Sequence, residues 1–256
     1  MLILLPPSER KATRNGGRGR PARYDTLSFP ELEPTRSRVR EVLAQVSAQP
    51  EPWTLLGLPP GLAEAVEHNT RLDSAPALPA EELYTGVLYD ALGFADLPPA
   101  ALRRARSSVV ITSALFGALR LRDRVPPYRL SANTALPGLP TLAQLWRPAL
   151  DQALTEAAGA GLLVDCRSGG YMAMWTPPAA LRSKWVHVQV PGASHMAKLT
   201  RGEVARAIAV APGAAPRTPK ALATAMTTAF EGTHEVALHE PSSAARPWVL
   251  TVRPVD

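Results

Sequence analysis

Three short apolar runs constrain the fold of this chain more than any other feature. Residues 2–5, 109–112 and 162–164 consist almost entirely of Leu, Ile and Val, and each run ends at a proline or a small or acidic residue. Continuous apolar runs of this length are typical of strands that are buried on both faces, as in parallel sheets. The sequence therefore predicts a largely buried sheet with other elements between its strands.

Helical patterns fill the stretches between these runs, because apolar residues recur there at helical spacing. Pro98 and Pro99 favour a helix start. We expect helices near 35–48, 60–68, 81–92, 100–106, 142–158, 200–210 and 220–230, and further strands at 185–190, 235–238 and 248–253. This order predicts one α+β or mixed α/β domain over residues 1–256, a mixed β-sheet flanked by helices with a basic cleft at the strand ends.

The composition of the chain limits which partners and which cellular location we expect. Hydrophobic residues make up 46% and charged residues 20%, so a sizeable core is available. The net charge of +6 favours polyanionic partners: nucleic acid, nucleotides or an acidic membrane surface. Of these, we expect duplex DNA or a nucleotide-like anion. A single cysteine excludes an internal disulfide, and no run is long enough to span a membrane. We expect a cytoplasmic protein without a membrane partner.

Polar side chains follow all three apolar runs. If the three strands are parallel neighbours, these side chains meet in one crevice, where ligands of open α/β sheets bind. In that crevice Glu9 could act as a general base and Lys11 as a charge stabiliser. The alternative is that the side chains cap turns and pair with each other. The residues concerned are Ser8, Glu9, Lys11, Ser113, Asp165, Arg167 and Ser168.

Two arginine-rich stretches also suit anionic ligands, because guanidinium groups bind phosphate and carboxylate. The first contains Arg120, Arg122, Arg124 and Arg129; its alternative is a solvated basic loop. The second, residues 10–23, includes a Gly-Arg-Gly-Arg-Pro run at 17–21 that resembles the core of an AT-hook, a minor-groove arm. For this second stretch a solvated loop is the favoured interpretation.

Residues 84–106 could form a helix-hairpin-helix, which binds phosphate through backbone N–H groups at a helix start. Gly93 and the cations Arg103, Arg104 and Arg106 suit this interpretation; the alternative is two amphipathic helices that pack on the sheet. The histidines and Cys166 lack metal-ligand spacing, and the chain has no P-loop or dinucleotide fingerprint. We therefore expect no metal and no cofactor.

Several segments together resemble the YaaA family of peroxide-stress proteins. The central match is Leu115-Phe-Gly-Ala-Leu-Arg120, followed by Asp123 and Pro127-Tyr-Arg-Leu130. The opening residues 1–11 and the Tyr84-Thr-Gly-Val-Leu-Tyr89 block are similar to the family in order and spacing. The later matching blocks are Leu145-Trp146, residues 165–171 and residues 194–202, where the family has a basic turn before a helix.

The resemblance implies a cytoplasmic protein that binds duplex DNA through a positively charged cleft, in the context of peroxide stress. It makes Lys198 a candidate for this cleft; the alternative is a solvated helix start. If the protein is an enzyme, the candidate catalytic residues are Glu9, Lys11 and Lys198. The residues predicted to bind the ligand are Ser8, Lys11, Tyr84, Ser113, Arg120, Tyr128, Arg129, Arg167, Ser168, Lys198 and Arg201.

The sequence is compatible with two functions from different classes. One is a nucleic-acid-binding stress protein; the other is an enzyme that acts on a small nucleobase-containing or anionic substrate in the same cleft. A compact pocket in which a Glu and a Lys converge would favour the enzyme. A broad, continuous basic groove would favour DNA.

Overall fold

The computed structural model describes residues 1–13, 19–192 and 194–255. A seven-stranded sheet runs through these residues in the order β4-β3-β1-β6-β7-β9-β8, and a small second sheet pairs β2 with β5. The strands are β1 (Leu2–Leu5), β2 (Leu78–Pro79), β3 (Val109–Ser113), β4 (Gly117–Leu119), β5 (Arg124–Val125), β6 (Leu163–Asp165), β7 (Trp185–Gln189), β8 (His234–His239) and β9 (Trp248–Pro254).

The central strands of the large sheet are parallel, and its two edge strands are antiparallel to their neighbours. β1 lies between β3 and β6, with Ile3 opposite both Val109 and Val164. All residues of these three strands are buried, as strands covered on both faces require. The predicted mixed α/β sheet is confirmed, and so is the neighbouring, parallel arrangement of the three apolar runs.

The expected helices lie where the periodicity places them, with two corrections, and three four-residue helices at Pro52–Leu55, Gly169–Met172 and Ala179–Arg182 were not expected. They are α1 (Glu33–Ser47), α2 (Pro52–Leu55), α3 (Ala63–Glu67), α4 (Ala80–Leu83), α5 (Val87–Leu92), α6 (Pro99–Ser108), α7 (Leu142–Ala158), α8 (Gly169–Met172), α9 (Ala179–Arg182), α10 (Ser194–Val210) and α11 (Pro219–Ala229), with short 3-10 turns between some of them.

The first correction concerns residues 81–92, expected as one helix. This stretch breaks at Tyr84–Gly86, because Gly86 takes a φ of +99°, which ends helical geometry. The second concerns residues 194–202, expected as a turn before a helix. These residues form the first part of α10 instead, which runs over Ser194–Val210.

The apolar side chains of these elements form one hydrophobic cluster around the large sheet. α10 packs closely on α5, and Gly202 makes this approach feasible: a Cβ there would lie on the backbone carbonyl of Leu88. The first turns of both helices therefore reach the same edge of the sheet. In the described ranges, no helix combines the length and apolar character needed to cross a bilayer.

Candidate functional site

A cleft of about 400 Å³ lies at the carboxyl ends of the parallel strands; we call it the strand-end cleft. Its walls come from the turn after β1, the start of α5, the start of α8 and the first turns of α10. The lining residues are Pro6, Pro7, Ser8, Glu9, Arg10, Gly86, Val87, Leu88, Tyr89, Asp90, Ser168, Tyr171, Ala197, Lys198 and Arg201. Its volume is typical of sites for small molecules.

The turn after β1 is fixed against the start of α5. The Ser8 hydroxyl donates a hydrogen bond to the Thr85 carbonyl, and the Thr85 N–H donates to the Arg10 carbonyl at 3.3 Å. A Cβ on Gly86 would lie 3.3 Å from the Ser8 oxygen, in a backbone conformation that side chains disfavour. Glycine is therefore required where the two segments meet to form this wall.

Lys11 lies directly behind this wall and is half-buried. Its Nζ donates to the Ser8 carbonyl at 2.8 Å and lies 4.0 Å from the centre of the Tyr128 ring and 5.5 Å from that of Tyr84. Burial, followed by the nearby Arg129 guanidinium, lowers the pKa of Lys11 to about 7, although the Glu9 carboxylate acts in the opposite direction. A large fraction of Lys11 is therefore uncharged at neutral pH.

A chain of three hydroxyl groups runs beside Lys11. The Ser113 oxygen accepts hydrogen bonds from the Leu115 and Phe116 N–H groups at 3.2 and 3.0 Å, so its own proton goes to the Tyr128 oxygen at 2.7 Å. The Tyr128 and Tyr84 oxygens are 2.9 Å apart and share one further hydrogen bond. Burial raises the pKa of both phenols, so both stay protonated.

The Glu9 carboxylate is turned away from Lys11 and pairs with Arg129 at 2.5 Å. The Glu9 side chain is 66% exposed, whereas that of Arg129 is only 12% exposed. The buried amide of Asn69 fixes the Arg129 backbone, because it accepts from the Arg129 N–H and donates to the Arg129 carbonyl. The structure therefore brings Glu9, Lys11 and Arg129 together, as expected. The Glu9 carboxylate, however, pairs with Arg129 and not with the Lys11 amine.

On the opposite wall, α10 contributes two cations to the cleft. Lys198 is exposed, and Arg201 donates to the Val188 carbonyl at 3.3 Å. Arg10 adds a third cation, and the acidic residues of the lining are Glu9 and Asp90. Within the described residues, the side chains of Arg10 and Lys198 have no ion-pair or hydrogen-bond partner.

Four of the predicted ligand-binding residues are buried, so they support the cleft from behind. Tyr84, Ser113 and Tyr128 form the hydroxyl chain. The fourth, Arg167, is fully buried and forms a bidentate pair with Asp165, each N–O distance being 2.8 Å. Burial acts to raise the pKa of Asp165, but the Arg167 guanidinium holds this pKa below its ordinary value.

The remaining polar contacts of the Asp165–Arg167 pair are internal as well. Arg167 also donates to the Trp175 and Tyr171 carbonyls at 3.0 and 3.2 Å, and the Trp185 indole donates to Asp165 at 3.0 Å. The expectation that polar residues at the strand ends pair with each other describes this pair well. Each nitrogen of the Arg167 guanidinium has an internal acceptor, and the side chain is fully buried.

Arg120 does not belong to the cleft, which corrects its prediction as a cleft residue. β4 runs antiparallel to β3, so Arg120 lies near the amino end of β3, where it donates to the Ser107 carbonyl at 3.1 Å. Arg124 donates to the Ala77 carbonyl at 2.7 Å. Arg129, of the same arginine-rich stretch, pairs with the lining residue Glu9 but is not itself part of the cleft lining. In the other stretch, residues 14–18, and with them the first two residues of the AT-hook-like run, lie outside the described residues.

The expected helix-hairpin-helix corresponds to α5, a turn at Gly93 and α6. Its cations are largely engaged within the protein. Arg106 pairs with Glu81 at 2.5 Å, and Arg104 donates to carbonyls at the end of α10 and just beyond it. The Arg206 side chain fills the space beside Gly93. The two helices pack on α10, which is close to the simpler interpretation of two amphipathic helices.

Sequence reasoning missed several lining residues. Arg10, Tyr89, Asp90 and Tyr171 were not predicted as site residues, although Tyr89 and Tyr171 end two of the blocks that resemble the YaaA family. The Tyr89 hydroxyl donates to the Pro6 carbonyl at 2.8 Å, and its ring stacks on that of Tyr84. Proximity to a matching block is the signal that could have identified them.

Metal and thiol chemistry find no support in the described part of the chain. It contains no cluster of three or more His, Cys, Asp or Glu residues able to hold a metal ion. Cys166 is fully buried, and burial raises the pKa of its thiol to about 12. His187 donates from Nδ1 to the Asp165 carbonyl at 3.1 Å, which gives it a structural role.

The fold and the cleft together define a class: α/β proteins with a small, polar cleft at the carboxyl edge of a mostly parallel sheet. Residues 1–231 match the family model of the peroxide stress protein YaaA, and the chain belongs to this family. It is 42% identical to a UPF0246 protein of Streptomyces coelicolor over 98% of both chains. A UPF0246 protein of Corynebacterium efficiens is 41% identical over 83% of this chain and 86% of its own.

Proposed function

We propose that the strand-end cleft binds a nucleotide-like anion. The observation that carries this proposal is the pair of cations that face the cleft, Arg10 and Lys198, without a partner among the described residues. Cations that lack an internal partner can form charge-assisted hydrogen bonds with phosphate at little reorganisation cost. Arg201 and the two serines of the lining, Ser8 and Ser168, supply further donors.

The size of the cleft favours a small ligand over a duplex. A volume of about 400 Å³ suits a nucleotide, whereas a duplex requires an extended basic surface. Duplex DNA is the second candidate, and the net charge of +6 supports it. The peroxide-stress context comes from the description of the family. A cytoplasmic location, implied by the resemblance, stays a prediction, and we infer one domain over 1–256 from the single hydrophobic cluster.

Titration calorimetry with adenosine and guanosine monophosphates tests the proposal. We expect Lys198→Ala to weaken nucleotide binding by about tenfold, because one charge-assisted hydrogen bond is lost. Lys220→Ala is the matched control: Lys220 is exposed on α11, outside the cleft lining, and the substitution removes the same charge. Equal affinities for the two variants would contradict the assignment of the cleft.

Duplex binding is measured in parallel by fluorescence anisotropy at several salt concentrations. If DNA is the ligand, affinity falls steeply with salt, and Lys198→Ala reduces the slope. Duplex binding that Lys198→Ala and Lys220→Ala weaken equally would indicate a general charge effect. Tight duplex binding together with no nucleotide binding would replace the first candidate with the second.

A further inference from the structure

The amine of Lys11 occupies an unusual position beside the cleft. Its Nζ has one hydrogen-bond acceptor among the described residues, the Ser8 carbonyl, and the nearest carboxylate, that of Glu9, is engaged by Arg129. Ordinary lysines keep their charge in water or beside a carboxylate. Lys11 is half-buried and its amine has no hydrogen bond to a carboxylate of the described residues, so its positive charge is only weakly stabilised.

The neighbouring tyrosines affect the protonation of the Lys11 amine in two opposite ways. The ring faces of Tyr84 and Tyr128 attract a cation, which acts to keep Lys11 protonated. The same rings also displace water from the amine. Burial and the Arg129 charge outweigh this attraction, because the pKa of Lys11 still falls to about 7. The charged or titratable groups around Lys11 are Glu9, Arg129, Tyr84, Tyr128 and, at longer range, His68.

The hydroxyl chain leaves one proton free beside this amine. Ser113 donates to Tyr128, and Tyr128 and Tyr84 share a single hydrogen bond. Two phenol protons and one shared bond leave one O–H group without an acceptor in the described part of the protein. That O–H belongs to one of two buried tyrosines, Tyr84 or Tyr128, whose ring centres lie 5.5 and 4.0 Å from Nζ.

We propose that Lys11 is a nucleophilic amine that forms an imine with an aldehyde or ketone group of an anionic ligand held in the strand-end cleft. The Nζ lone pair attacks the carbonyl carbon, so a C–N bond forms and the C–O π bond breaks. The carbonyl oxygen takes up two protons in total, which replace the two that Nζ loses; the C–O σ bond then breaks as water leaves, and the Nζ lone pair completes the C=N bond. The phenol without an acceptor supplies one of the two protons for the departing oxygen. This proposal rests on the proposed anion site and names its substrate class: phosphorylated or carboxylated carbonyl compounds.

The roles expected from the sequence are exchanged in this proposal. Glu9, expected as a general base, holds Arg129 near the amine, and Lys11, expected as a charge stabiliser, carries out the covalent step. Lys198 and Arg10 then bind the anionic part of the ligand. Uncharged lysine amines of this kind are the form that reacts with carbonyl groups.

Reductive labelling of the native chain tests the inference. The probe is pyridoxal 5′-phosphate, an aldehyde that carries a phosphate, trapped with cyanoborohydride at pH 7 and mapped by peptide mass spectrometry. The chain has four lysines, Lys11, Lys184, Lys198 and Lys220, so the other three are internal controls; the terminal amine is scored separately. We expect Lys11 to be labelled at least on the order of 100-fold faster than Lys220, because an ordinary lysine is only about 0.04% uncharged at this pH.

Lys11 labelling that is no faster than that of Lys220 would overturn the inference, whether the cause is a charged amine or an inaccessible one. This comparison uses the native protein and does not depend on a variant that folds. Lys11→Arg, which keeps the charge but cannot form an imine, should lose the fast label.

Pyridoxal without its phosphate separates the two proposals. Fast labelling of Lys11 that depends on the phosphate supports both the anion site and the imine. Fast labelling by both probes supports the imine and argues against the anion site. Normal nucleotide binding with slow Lys11 labelling retains the anion site and removes the imine.

Discussion

The Asp165–Arg167 pair and the Lys11 amine both follow parallel strands at one edge of the sheet, but they are satisfied in opposite ways. Arg167 has a bidentate carboxylate and two backbone carbonyls as acceptors, and both side chains of its pair are fully buried. Lys11 is half-buried and has one carbonyl and two aromatic ring faces. A position at the strand ends therefore does not by itself give a residue a role in binding.

The difference lies in the partners rather than in the location. A buried charge whose partners are all internal fixes the local structure and has nothing left to offer a ligand. A buried amine without a carboxylate gives up its proton readily and becomes reactive. The comparison predicts that the two groups respond to substitution and to pH in different ways.

The largest expected effect comes from breaking the buried pair. Arg167→Met leaves the Asp165 carboxylate buried without its cation, and we expect a loss of about 3–5 kcal/mol in the free energy of unfolding. Urea unfolding followed by circular dichroism measures it. The control is Arg23→Met, because Arg23 pairs with Asp25 on the surface, where both side chains are about 70% exposed; there we expect a loss below about 1 kcal/mol. If Arg167→Met and Arg23→Met lost similar amounts of unfolding free energy, the buried pair would not differ in stability from a surface pair.

A smaller effect should appear in the pH dependence of stability. The pKa of Lys11 is lowered to about 7 in the folded chain, whereas an unfolded lysine has its ordinary value near 10.5. Between these values the unfolded chain binds more protons, so the cost of burying Lys11 is fully present below pH 7 and disappears as the pH approaches 10.5. Relative to Lys11→Met, the native chain should gain about 1–2 kcal/mol from pH 6 to pH 10, a value reduced because the residue is only half-buried.

Unfolding free energies of both proteins across this pH range measure the gain. Lys220→Met, which removes an exposed charge on α11, is the control for the change in net charge. A difference between the native chain and Lys11→Met that stays constant with pH would show that Lys11 is an ordinary cation. A difference of opposite sign would show that its pKa is raised.

The smallest effects concern the two charges next to Lys11. Arg129→Gln removes a charge that lowers the pKa of Lys11, so labelling of Lys11 at pH 7 should slow by roughly threefold to tenfold. Glu9→Gln removes a charge that raises this pKa, so labelling should become faster. Rates at high pH, where the amine is uncharged in every variant, correct for changes in access. Shifts in the same direction for both variants would contradict the electrostatic account.

Much of the fold was predictable because it depends on local pattern. The three apolar runs became β3, β1 and β6, and the helix expected at 142–158 matches α7 in full. The errors lie where a local pattern competes with a tertiary contact. Gly86 breaks an expected helix through its positive φ, and a side chain there would lie only 3.3 Å from the oxygen of Ser8, which is far away in sequence.

The site was predictable only as a set of residue types. Ser8, Glu9, Ser168, Lys198 and Arg201 line the cleft as expected, whereas Arg120 lies at the other end of its strand pair and Arg167 is enclosed. Sequence gives the residues that follow each strand. It does not show which of them will find an internal partner, because those partners come from distant segments.

The sequence by itself determined the buried strands, most helices, the excess of positive charge and the family to which the chain belongs. These properties follow from side-chain periodicity, composition and short matching blocks, all of which are local. The tertiary structure alone decided that Glu9 pairs with Arg129 and that Lys11 lies between two tyrosine rings without a carboxylate. The protonation of an amine depends on the charges and the water within a few ångströms, and folding sets both.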